Sequence, residues 1–183
     1  ICIPSKWVQA AVEYPIDPSG AKIVGLDVAD EGGDRNVYAL RHGVVVVDID
    51  GWKDGDTTKT ARKAYRRAID DNADYLNYDS IGVGAGVKGE FNSLNSEAKV
   101  KLKAHGINSA ATDLPGYYEN TDKKNSDMFA NLRAKMWWGL RRRFEKTYEV
   151  VNGIKDHPVD ELISIPNHTE LISEFSRPLH GIN

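Results

Sequence analysis

Between residues 22 and 49 the sequence places three apolar strands with almost no chain between them. They cover residues 22–28, 36–41 and 44–49, and His42-Gly43 between the last two is a tight hairpin signal. A parallel crossover needs about a dozen residues or more. The three strands are therefore predicted to form an antiparallel meander. The first, Lys22-Ile23-Val24-Gly25-Leu26-Asp27-Val28, carries a carboxylate inside the most apolar stretch of the chain.

After the meander the pattern changes to helices alternating with single strands. Residues 57–73 have the helical period, with Ala61, Ala64, Tyr65, Ala68 and Ile69 on one face. A fourth strand is expected at 74–79, then a glycine-rich loop at 82–86 and a helical stretch ending near His105-Gly106. Residues 107–111 read as a fifth strand and 112–124 as a loop. The longest helix is expected at 126–148, with Leu132, Met136, Leu140 and Phe144 as its apolar stripe. A short helix at 4–14 precedes the meander, and a short strand at 162–165 and a helix at 169–176 follow the long helix. Three hairpin strands, helix, strand, helix, strand, helix is an α/β order with RNase H-like topology. It predicts a mixed five-stranded sheet, three antiparallel strands then parallel ones, flanked by helices. The first strand is central and the fourth lies beside it through a right-handed crossover.

The chain has 183 residues, the size of one domain, and 40% of them are apolar. Residues 1–183 are read as a single domain. The chain begins at Ile1 without a methionine, so it is expected to be part of a larger polypeptide. No apolar run approaches the roughly 20 residues that cross a bilayer, and the start lacks the pattern of a signal peptide. A single cysteine, Cys2, excludes an internal disulfide and a cysteine-based zinc site. The net charge of −3 argues against a protein that coats DNA, but not against an enzyme that touches it transiently.

Asp27 and Asp79 are the candidate catalytic and metal-ligating residues. A carboxylate among Ile23, Val24, Leu26 and Val28 is costly unless something offsets it. Asp79 closes the fourth strand just before the glycine-rich loop. On neighbouring strands about 4.8 Å apart the two would repel. A divalent cation resolves that conflict, and oxygen donors favour Mg²⁺ or Mn²⁺ over zinc. With two ions, one activates water and the other stabilises the leaving oxygen of a phosphodiester. Asp30 and Asp34, in the acidic turn after the first strand, are lesser candidates for the same site; both also suit a turn.

Gly84, Gly86 and Gly89 spell G-x-G-x-x-G, but after the fourth strand rather than the first, which does not suit a dinucleotide fold. Basic residues gather at Arg62, Lys63, Arg66 and Arg67, and again at Arg133, Lys135, Arg141, Arg142, Arg143 and Lys146. Such faces are solvated or meet a polyanion; Arg133, Arg141, Arg142 and Arg143 are taken as candidate DNA contacts. The five histidines are scattered, with no metal or triad spacing.

Gly25-Leu26-Asp27-Val28-Ala29-Asp30-Glu31-Gly32-Gly33-Asp34 resembles the first motif of the nuclease domain of tailed-bacteriophage terminase large subunits, of the headful-packaging type. Tyr78-Asp79-Ser80-Ile81-Gly82-Val83-Gly84-Ala85-Gly86-Val87 resembles the second, and Asn131-Leu132-Arg133-Ala134-Lys135-Met136-Trp137-Trp138 resembles the family's later helix. The resemblance implies a metal-dependent endonuclease that cuts concatemeric double-stranded DNA during viral genome packaging with Mg²⁺ or Mn²⁺. It implies an ATPase domain elsewhere in the polypeptide, and work in the host cell cytoplasm with the portal protein, the small terminase subunit and the procapsid. Asp27 and Asp79 match the first two metal ligands. The family's third acid lies in an Asp-Ala-containing helix that has no counterpart here; Asp113, Asp127 or Asp160 could substitute. Two other functions compete: an RNase H-like module that docks DNA or a partner without cutting, and a nucleotide-binding enzyme using the glycine loop.

Overall fold

The structure, a computed structural model, describes residues 3–29, 34–82 and 84–177. Among these residues five strands form one sheet in the order β3-β2-β1-β4-β5. They are β1 Lys22–Asp27, β2 Asn36–His42, β3 Val45–Trp52, β4 Tyr75–Asp79 and β5 Lys103–Ile107. β2 pairs antiparallel with both β1 and β3, whereas β4 pairs parallel with both β1 and β5. The meander, the central first strand and the mixed sheet are those expected from the sequence. The β2–β3 turn depends on Gly43, at φ +59°, where a Cβ would sit 1.9 Å from the Ser19 carbonyl oxygen.

Among the described residues six α-helices flank the sheet: α1 Ser5–Glu13, α2 Thr57–Asp70, α3 Gly84–Glu97, α4 Asn125–Met128, α5 Leu132–Val151 and α6 Thr169–Ser176. Asp56 caps α2, accepting from the backbone N–H groups of Thr58 and Lys59. The first core lies under α2 and α3. There Ala61, Ala64, Tyr65 and Ala68 of α2 and Val87 and Phe91 of α3 pack on Val24, Leu26, Tyr38, Leu40, Leu76 and Tyr78. The small α2 residues bring that helix close to the sheet. The second core joins α1 and α5 through Val8, Ala11 and Phe144 with Ile163 and Ile165, and Leu171, Ile172 and Phe175 of α6 and Val46 of β3 pack against it.

Several expectations are corrected. The fifth strand runs over Lys103–Ile107 instead of 107–111. It is an edge strand, largely exposed, without the apolar alternation that marks β4. Gly106, read as a helix end, packs beside β4: a Cβ there would lie 2.9 Å from Ser80 Cβ. The helix expected at 126–148 is two helices, α4 and α5, separated by extended backbone at Phe129 and Asn131. Asn131 starts α5 by accepting from the Ala134 N–H at 2.9 Å. Met136, placed on the apolar stripe, is 47% exposed; Phe144 is the buried member. The strand expected at 162–165 reduces to one bridge between Ser164 and Val45.

Candidate active site

The β1–β4 register pairs Leu26 with Tyr78, and both enter the first core. The next residue on each strand, Asp27 and Asp79, therefore leaves by the opposite face. The two carboxylates end adjacent parallel strands at the same end of the sheet. Asp27 is exposed to solvent. Partial burial, then the Asp79 charge, raises its pKa above its ordinary value, with Arg133 opposing this and Asp34 adding to it. Asp79 behaves in the opposite way. Partial burial pushes it up, but hydrogen bonds from Ser109 and Ile81 and the Arg133 charge together bring it below the ordinary value.

The support for Asp79 is built by the segment between β5 and α5. Ser109 is buried and donates its hydroxyl to Asp79 Oδ2 at 2.6 Å. The Ile81 N–H donates to Oδ1 at 3.1 Å, closing a short turn after β4. Arg133, in the first turn of α5, donates to Ser109 Oγ at 2.8 Å and stands 3.5 Å from Asp79 Oδ2. Its backbone N–H is tied to the Ser109 carbonyl at 2.8 Å, which fixes the base of the side chain beside the site. Ser109 carries no signal of its own in the sequence: it belongs to no motif, and only the fold brings it to Asp79.

Asn36 was also missed. It is fully buried at the start of β2. Its carbonyl oxygen accepts from the Ala29 N–H at 2.9 Å and its amide donates to the Asp54 carbonyl at 3.0 Å. It thus fixes the chain leaving Asp27 to the chain entering α2, and among the described residues its side chain bonds to backbone. Its signal is a polar residue at the head of an apolar strand, which looks the same as a turn residue.

Asp27 and Asp34 line one cavity of about 690 Å³ with Arg35, Asp50, His168 and Glu174. Asp30 lies outside the described residues. Asp113 is exposed in the loop before α4, Asp127 is in α4, and Asp160 is in a 3-10 turn. Among the described residues no three Asp, Glu, His or Cys side chains converge on one metal position. The carboxylate pair fits a hard divalent ion nonetheless. Mg²⁺ commonly takes only one or two protein carboxylates, completing its shell with water and substrate phosphate, and a cation here would relieve the repulsion carried by Asp27.

The arginines expected to meet DNA divide into two groups. Arg141 stacks over Trp7 and Trp138, at 4.7 and 5.1 Å from the ring centres, and pairs with Glu145. Arg142 pairs with Glu119 and Glu145. These two hold helices and loop together. Arg133 and Arg143 are exposed; Arg143 donates to the Asp160 and Leu162 carbonyls at 2.8 and 2.9 Å. On α2, Arg67 bridges Asp48 and Asp50 and stacks on Tyr38, and Arg62 pairs with Glu90. The G-x-G-x-x-G glycines open α3, where a Cβ on Gly86 would touch Thr57 at 3.4 Å; that glycine serves the contact between α3 and α2.

The sequence matches no protein-family model and no curated protein. Solved structures do match. The nuclease domain of the large terminase subunit of bacterial virus Sf6 superposes at a TM-score of 0.85 with 26% identity, covering 100% of this chain and 84% of that one. A mutant form of the same domain with manganese and beta-thujaplicinol gives the same TM-score, identity and coverage. The large terminase nuclease from thermophilic phage G20c with bound zinc matches at a TM-score of 0.57 and 13% identity over 95% of this chain and 86% of that one, a likeness of fold alone.

Proposed function

We propose that this chain, which has the fold of the phage large-terminase nuclease domain and matches it along its whole length, is a metal-dependent endonuclease that cuts concatemeric double-stranded DNA during viral genome packaging. The observation that carries the proposal is the meeting of Asp27 and Asp79 at the ends of adjacent parallel strands. Mg²⁺ or Mn²⁺ is the expected cofactor, two ions in all, held by Asp27 and Asp79, with Asp34 and Asp30 as secondary donors. Bound there, the ions would activate water and stabilise the leaving oxygen of the phosphodiester. The protein's own residues set the geometry. Ser109 and the Ile81 N–H fix both oxygens of Asp79. Asp27 supplies the negative charge that draws in a cation. Arg133 offers a guanidinium at the place where a phosphate would come.

Residues 1–183 act as one RNase H-like domain in this reading, with the ATPase function elsewhere in the packaging motor. The portal protein, the small terminase subunit and the procapsid are its partners in the host cytoplasm. No helix among the described residues is long and apolar enough to cross a membrane. A second reading is a module that docks DNA or a partner without cutting. It draws on the missing convergence of three ligands among the described residues. Plasmid nicking with Mn²⁺, Mg²⁺ and EDTA decides between them. Cleavage with either ion and none in EDTA supports the nuclease; DNA binding with no cleavage in any of the three supports the docking module.

A further inference from the structure

We propose that Arg133, steadied by Ser109, is an exchangeable counter-ion of the active site: it shares Asp79 in the metal-free protein and turns to the DNA phosphate once a divalent cation takes that oxygen. This rests on the nuclease reading above and adds a role for two residues outside the carboxylate pair. Three features of the geometry support it. First, the Ser109 hydroxyl is used fully, donating to Asp79 Oδ2 at 2.6 Å and accepting from Arg133 at 2.8 Å. One O–H and two lone pairs allow both bonds at once. The serine can keep its hold on Asp79 when the arginine leaves.

Second, the two bonds to Asp79 are unequal. The serine bond is short and charge-assisted, whereas the guanidinium stands off at 3.5 Å. Third, Arg133 is fixed at its base and free at its tip. Its N–H is bound to the Ser109 carbonyl, yet its side chain is 60% exposed. A long side chain anchored this way can swing its charge between two nearby anions without refolding the helix. Ser109 is therefore a positioning residue for Asp79, and Arg133 is a cation that competes with the metal and then serves the substrate.

Competition gives a sign that a merely structural arginine would not. An arginine that only supports the fold would, when removed, loosen Asp79 and weaken metal binding. An arginine that competes would leave metal binding tighter when removed. The test is Mn²⁺ titration of the purified protein without DNA, read by the electron paramagnetic resonance of free Mn²⁺, beside nicking assays and thermal melts. Arg133→Gln should bind Mn²⁺ about two- to fivefold more tightly, the scale of one exposed ion pair, while cutting DNA more slowly. Arg133→Lys should return Mn²⁺ affinity to near the parent. Ser109→Ala, folded by its melt, should bind Mn²⁺ more weakly. Unchanged or weaker Mn²⁺ binding by Arg133→Gln overturns the exchange, and unchanged binding by Ser109→Ala overturns the positioning role. A parent protein that takes up no Mn²⁺ removes the metal site itself, and with it this inference.

Discussion

The two faces of the sheet are built on different principles. Beneath α2 and α3, Val24, Leu26, Leu76 and Tyr78 pack against Phe91 and the small residues of α2, and water is excluded. On the other face the same strands present Gly25, Asp27 and Asp79, and among the described residues nothing lies within 4 Å of where a Cβ on Gly25 would be. The helices of that side, α1, α5 and α6, pack chiefly on one another and reach the sheet at Val46. One strand thus serves two purposes by alternation alone. Its even-numbered residues Val24 and Leu26 hold the fold, and in the proposed reading its odd-numbered end, Asp27, carries the chemistry. The dry face makes the open one possible, because a carboxylate pair that repels must be held by something other than itself.

The contrast is broken first at Asp27. Asp27→Asn should lower cleavage by several orders of magnitude, since each metal role supplies several kcal/mol and about 1.4 kcal/mol is tenfold in rate. The fold should not suffer. Folding raises the pKa of Asp27, so its contribution to stability is present below the ordinary carboxylate pKa and is lost as pH rises through the folded value. At neutral pH in EDTA the charged form is a burden. Asp27→Asn should then melt higher than the parent, by no more than about 1 kcal/mol at so exposed a site. The gain should vanish below about pH 4, where an unfolded aspartate is also protonated. Asp79 has the reverse sign: its lowered pKa stabilises above the unfolded value and loses that effect as pH falls through the folded one. A destabilised Asp27→Asn that nicks plasmid at the parent rate would make Asp27 a structural residue.

On the dry face the expected loss is of stability. Leu76 is fully buried in the centre of the first core. Leu76→Ala should cost about 3 kcal/mol, from lost transfer energy and the cavity left behind. The folded fraction should keep its Mn²⁺ affinity and its cleavage rate, as read by denaturant melts and nicking of the same sample. A change in Mn²⁺ affinity at full folding would show that the faces are coupled through β4.

This division also explains what the sequence disclosed. The first core follows from alternation in β1 and β4 and from the helical period of α2, both local patterns, so the sheet and its order could be read directly. Asp27 and Asp79 stood out because each is a charge at an apolar strand. Ser109 and Asn36 could not be found in this way. Their roles depend on partners far along the chain or on backbone atoms, and a serine or asparagine in a loop has no periodicity. β5 lies outside the expected bounds because an edge strand is under little pressure to alternate. Met136 has the spacing of the α5 stripe yet is 47% exposed, because α5 turns part of its apolar surface toward solvent instead of the sheet.

The smallest expected effect separates the arginines of α5. An arginine that neutralises a phosphate releases a counterion, and each such contact steepens the dependence of log affinity on log salt by about 0.9. Arg143 is exposed and bound only to carbonyl oxygens among the described residues, so its charge can be offered to DNA. It lies ten residues from Arg133, roughly 15 Å along the helix, a span that would let the pair meet different phosphates of one duplex. Arg141 already faces two tryptophans and Glu145, and Arg142 is matched by Glu119 and Glu145. Arg143→Ala should therefore flatten the salt slope by about one unit with little change in melting. Arg141→Ala should leave the slope alone and lower stability by about 1 kcal/mol, through lost cation–π contact. Fluorescence anisotropy with a short duplex in Ca²⁺ buffer, repeated across salt concentrations, gives both slopes. A flattened slope for Arg141→Ala would mean that its ring contacts open when DNA arrives, and the open face would then extend further along α5 than the free protein displays.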